Sequence, residues 1–174
     1  MSDADKHYFP ITTLLVDVGE LLPDFRVNGG LARFRGRPLL VNLYSAHCPP
    51  CIREIPLLNA FLGEAEAEAM QVLAISVDDV EETARLAPRL GLAWPVVAPG
   101  EDYAYRGLGI EGIPAFLLLD AHGRLLASTY ANQVADATGE ANLAGLRAWI
   151  RRFLPPPGER GHQSVEGMSA TRQR

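Results

Sequence analysis

Residues 39–44 read Leu-Leu-Val-Asn-Leu-Tyr, a nearly continuous apolar run, and four residues later the chain reads Cys48-Pro49-Pro50-Cys51. Such a run suits a strand buried on both faces of a sheet. The next segment has a different period: over residues 50–70 the apolar positions Ile52, Ile55, Leu58, Phe61 and Leu62 recur at three- and four-residue spacing, the pattern of an amphipathic helix. A central strand that passes into a helix through two cysteines points to an α/β domain. The alternation then repeats. Residues 72–77 are strand-like, 81–90 helical with a stop at Gly91, 94–97 a short strand and 102–108 a short helix or turn. Residues 115–119 and 124–129 form two strands joined by the turn-forming set Asp120-Ala121-His122-Gly123, and 143–154 a closing helix stopped by Pro155-Pro156-Pro157-Gly158. Pro56 falls inside the first helical pattern, where its missing donor should bend the helix. Ahead of the central strand, residues 25–27 and 31–34 flank Asn28-Gly29-Gly30, which supplies the positive φ angles of a tight turn, so a small hairpin is expected there.

With 174 residues, 48% of them hydrophobic, the chain can build one core without disulfide staples. The expected organisation is an extension over 1–18, one α/β domain over 19–154 with a mixed sheet flanked by helices, and a polar disordered tail over 155–174. Acidic residues exceed basic ones by 21 to 16, which gives no basic field for nucleic acid or an anionic membrane. No apolar stretch approaches the roughly 20 residues of a membrane-spanning helix. The polar start, with Asp3, Asp5, Lys6 and His7, lacks the order of an export signal, so the cytoplasm is expected on the sequence as given.

Cys48 and Cys51 are the only cysteines, too close together to close a long loop and too few for a disulfide scaffold. They read as chemistry. At a helix start the Cys48 sulfur faces backbone N–H groups that have no intrahelical acceptor, which favours a thiolate. Three residues on, Cys51 lies one turn away with Cα atoms about 5–6 Å distant, within disulfide reach. Pro49 and Pro50 suit a first helical turn and stiffen it. Cys48, the more accessible, is expected to attack a partner's sulfur, and Cys51 to resolve the mixed disulfide. A zinc site is disfavoured because no second C-x-x-C or H-x3–5-H occurs, and no metal is expected.

Leu22-Pro23-Asp24-Phe25, Arg35-Gly36-Arg37, the passage VNLYSAHCPPC, Pro56 and GIPAFLLLD from Gly112 to Asp120 together resemble the TlpA/ResA-like branch of the thioredoxin superfamily. The resemblance covers residues 19–154 and implies a thioredoxin-like fold. It also implies exchange of a Cys48–Cys51 dithiol/disulfide with protein substrates, with no other cofactor and recharging by an upstream thiol donor. The chain is expected to act as a monomeric reductase, and the family would place it in a periplasmic or extracytoplasmic compartment if a leader was removed. Pro114, preceded by Ile113, matches the family's cis proline, which spacing alone could not reveal because only about 5–6% of X–Pro bonds are cis. The chain departs from the family pattern in carrying His47 and Tyr44 where Trp is common. A protonated His47 could favour the Cys48 thiolate, or serve only surface packing. Asn42 stands where thioredoxins proper place a buried Asp, so another acid is needed. Asp79, or Asp78, is the candidate, against the alternative of a helix N-cap ahead of Glu81 and Glu82. Gly112 is expected to let backbone pass close to the cysteines.

Two other functions share these residues. A peroxiredoxin-like peroxidase would use Ser45 three residues before Cys48, but Val41 stands where its proline belongs. A non-enzymatic module would bind Cu(I) or a partner's thiol through the two cysteines.

Overall fold

The computed structural model describes residues 6–25, 27, 29–64, 69–135 and 141–156. Five strands form one sheet in the order β3-β2-β1-β4-β5: β1 Leu39–Tyr44, β2 Gln71–Ser76, β3 Val96–Val97, β4 Ala115–Leu119 and β5 Leu125–Tyr130. β1 pairs parallel to β2 and antiparallel to β4, with Tyr44 opposite Ser76 and Leu43 opposite Ala115. The sheet is mixed, and the fold is the thioredoxin-like α/β class expected.

Every residue of β1 is buried, because its two faces feed two cores. Leu40 and Tyr44 join Leu58, Phe61, Phe116, Leu118 and Trp149 on one side. Leu39, Val41 and Leu43 join Leu73, Ile75, Leu117 and Leu119 on the other. Each fully buried side chain of this size contributes roughly 1.5–3 kcal/mol. The first face is covered by α1 Pro49–Arg53, α2 Ile55–Leu62 and α4 Leu143–Phe153. Over the second face lie Ile11, Val16, Phe25 and Phe34, together with a π-helical turn over Tyr103–Leu108. α3 Val80–Leu86 follows β2. No described helix is long and apolar enough to cross a membrane.

Three expectations change. The hairpin over 25–34 does not form: Leu31–Phe34 is a 3-10 turn. The glycines do take positive φ, 80° at Gly29 and 64° at Gly30. However, the Asp24 carboxylate accepts from the N–H groups of both Phe25 and Leu31, at 2.8 and 2.7 Å, and curls the chain back on itself. Leu31 and Phe34, three apart, then face inward as one turn, and no strand among the described residues pairs with this segment. Second, the helical pattern of 50–70 is two helices that meet at Glu54, the break falling beside Pro56 as its missing donor requires, and the second ends at Leu62. Residues 65–68 lie outside the described ones, as does the tail from 157. Third, the segment expected as an extension enters the cores through Tyr8, Ile11 and Val16, which are 8%, 4% and 7% exposed. It is also tied to β5 through the bond from Ile11 N–H to Ser128 Oγ at 3.1 Å.

Candidate functional site

β1 ends at Tyr44, and the chain turns through residues 45–48 into α1. Cys48 is the N-cap of that helix, with extended backbone (φ −105°, ψ 104°) and Pro49 and Pro50 in the first turn. Its Sγ accepts from Cys51 N–H at 3.3 Å, one of the orphan donors of a helix start. The two cysteines form a disulfide with Cα atoms 5.2 Å apart. They differ in access: Cys51 is 4% exposed and packed in the core, whereas Cys48 is only partly buried at its edge.

The Ile113–Pro114 bond is cis. Pro114 immediately precedes β4, and because β4 runs antiparallel to β1, its start lies at the end of the sheet where β1 releases the chain toward Cys48. Pro50, Arg53, Glu54, Pro114, Ala131 and Asn132 line a shared cleft of about 230 Å³. Ile113 is half-buried beside Pro114 and contacts both cores. Gly112 is not there for close approach, since a Cβ at that position would meet only the Tyr130 ring, at 3.9 Å.

One residue lining this cleft is a buried acid that sequence reasoning missed, Glu54. It is 7% exposed, and its Oε2 has no hydrogen-bond partner among the described residues. Burial pushes its carboxyl from 4.5 up to about 8, an effect that the Arg53 charge only partly offsets. A signal was present: residue 54 follows Cys51 by three and precedes Leu58 by four, which puts it on the buried stripe of the helical pattern.

Asp79 takes the capping role. It is exposed, and its Oδ1 accepts from Glu82 N–H at 2.7 Å as N-cap of α3. Its neighbour Asp78 reaches the loop before Cys48, accepting from Ser45 Oγ at 2.7 Å and Ala46 N–H at 2.8 Å, while His47 N–H donates to Ser45 Oγ at 3.0 Å. Tyr44, buried beside this carboxylate, has its phenol pushed up to about 12, first by desolvation and then by the Asp78 charge. His47 is exposed and its Nε2 lies 2.5 Å from Glu82 Oε1, so the ring is engaged by α3. Asn42 is buried in β1, and its Nδ2 has no partner among the described residues.

Residues 18–128 match the model of the AhpC/TSA family. Among curated proteins, the thiol-disulfide oxidoreductase ResA of Geobacillus thermodenitrificans is 27% identical over 117 residues, 63% of this chain and 67% of that one. ResA of Halalkalibacterium halodurans is 28% identical over 97 residues, 55% of each chain. The chain thus spans between about half and two thirds of these relatives. Among solved structures, the thioredoxin domain of a thiol-disulfide oxidoreductase from Bacteroides vulgatus superposes with a TM-score of 0.60 at 20% identity, covering 80% of this chain and 99% of that one. A thiol:disulfide interchange protein from a Bacteroides species gives a TM-score of 0.60 at 22% identity, over 85% and 97%.

Proposed function

Because the chain belongs to the AhpC/TSA family, and within it to the thiol-disulfide oxidoreductases, we propose that it reduces protein disulfides through a Cys48 mixed disulfide that Cys51 resolves. The carrying observation is the asymmetry of the pair: a partly buried Cys48 whose Sγ accepts from Cys51 N–H, and a Cys51 buried to 4% exposure.

In the reduced protein the Cys48 thiolate attacks one sulfur of a substrate disulfide. A new S–S bond joins Cys48 to the substrate, and the other substrate sulfur leaves as a thiolate that takes a proton. Cys51, once deprotonated, attacks the Cys48 sulfur, re-forms the Cys48–Cys51 bond and releases the second substrate thiol. Two electrons pass from the dithiol to the substrate. An upstream thiol donor runs the same exchange in reverse to recharge the pair. Glu54, three residues after Cys51 at the junction of α1 and α2 and with a carboxyl near 8, is suited to exchange the Cys51 proton near neutral pH. Pro114 and Ile113 form the wall against which a substrate chain would lie, and Pro49 and Pro50 keep the first helical turn rigid.

The peroxidase reading is less well supported, since the Ser45 hydroxyl donates to Asp78 and accepts from His47 N–H. The test is reduction of insulin disulfides alongside peroxide consumption. Wild type should reduce insulin, Cys48→Ser should abolish turnover, and Cys51→Ser should accumulate a covalent adduct with substrate. Normal turnover by Cys51→Ser, or peroxide consumption exceeding disulfide reduction, would contradict the proposal.

A further inference from the structure

His47 and the start of α3 bring together side chains that the thiol exchange does not use. One ligand atom each from His47, Asp78 and Glu82 lie within 4.8 Å of one another. The fold explains the meeting. β1 and β2 are parallel neighbours with Tyr44 opposite Ser76, so the chains leaving their ends run side by side and carry residue 47 to residue 78. Asp78 precedes the α3 cap Asp79 and Glu82 lies in the first turn of α3, so the chain entering the helix brings the two carboxylates together.

Each ligand-bearing segment is also held from behind. The Asp78 carboxylate is oriented by Ser45 Oγ and Ala46 N–H, while the backbone that carries His47 is held by its N–H on Ser45 Oγ and the backbone that carries Glu82 by its N–H on Asp79 Oδ1. The two bonds to the Asp78 carboxylate are outer hydrogen bonds of the kind that fix a metal ligand in direction. Arg85 competes for the same carboxylate, but its exposed guanidinium lies 3.7 Å from Glu82 Oε1 and can swing into solvent. Asp78 and Glu82 are half-buried and His47 exposed, so one side of the cluster is left open to water.

We propose that His47, Asp78 and Glu82 form a binding site for a divalent transition-metal cation of the Zn2+ class. One imidazole nitrogen and two carboxylates supply three ligands, and water completes the coordination. This reverses the sequence-based expectation of no metal. That expectation rested on missing cysteine and histidine spacings, whereas these ligands meet only through the parallel pairing of β1 and β2. The site uses no sulfur, so it stands apart from the redox reading.

The test is calorimetric titration of ZnCl2 into the oxidised full chain, in which both cysteines are bonded to each other and excluded as ligands. One saturable equivalent is expected, weakened about tenfold or more by His47→Ala and by the nearly isosteric Glu82→Gln. His122→Ala, in the turn between β4 and β5, should bind as the parent does. Co2+ in the same site should show ligand-field bands without sulfur-to-metal charge transfer. No saturable binding, binding that both substitutions leave unchanged, or a sulfur charge-transfer band would overturn the proposal. Far-UV circular dichroism of each variant confirms that affinity is read on folded protein.

Discussion

At the scale of single residues, the site is set by where charge can exist. Cys48 sits where unpaired N–H groups favour an anion, while Glu54 sits where burial disfavours one. Glu54 has a consequence for stability. Its carboxyl titrates near 8 in the fold against 4.5 when free, so between those values the folded chain binds more protons than the unfolded chain. Stability is therefore fully present below about 4.5 and is lost as pH rises toward 8, by up to ~1.4 kcal/mol per pH unit. Glu54→Gln should flatten that slope and raise the urea midpoint above wild type at pH near 8. An unchanged slope in the variant would remove Glu54 as its source. The cysteines were legible in the sequence because two of them, separated by two prolines, stood between a strand pattern and a helix pattern. Glu54 was not, because a carboxylate on an amphipathic helix is ordinarily solvated. Only its register with Cys51 and Leu58 marks it as buried. Asp79 drew attention as an acid at a strand end, but that position serves equally to cap the helix after it, and capping is the role it has.

At the scale of elements, local patterns identified most strands and helices, and went astray where a side chain redirected the backbone. Pro56 divides the helical pattern as its missing donor requires. The residues 25–34 show the limit: Gly29 and Gly30 correctly signalled positive φ, but the three-residue spacing of Leu31 and Phe34 and the Asp24 carboxylate decide for a 3-10 turn. Gly30 is indispensable there. Its φ is 64°, and a Cβ would lie 2.7 Å from Asp24 Oδ1 and 2.9 Å from the Phe25 carbonyl. Gly30→Ala should destabilise the fold by about 1–3 kcal/mol. A chemical-denaturation midpoint equal to wild type would show that this turn does not bear on the core. Gly109, at φ 81°, ends the π-helical turn and packs against the Thr13 carbonyl. That contact spans nearly a hundred residues and left no local signal.

At the scale of the whole molecule, the sheet order and the two cores depend on pairings between distant segments. Alternating strands and helices implied a layered α/β fold, but the entry of Tyr8, Ile11 and Val16 into the cores could not be read from a short apolar segment bounded by polar residues. The same long-range pairing builds the site: β1 delivers Cys48, β4 delivers Pro114 and β2 delivers Asp78 to one end of the sheet. Everything proposed for function rests on Cys48 being the ionised sulfur at that end. The direct measurement is the pH dependence of alkylation of each cysteine in the reduced protein, resolved by mass spectrometry. The structure predicts that Cys48 reacts as a thiolate with a pKa below the ~8.5 of a free thiol and well ahead of Cys51. Ionisation of Cys48 at or above that value, or faster reaction at Cys51, would contradict it.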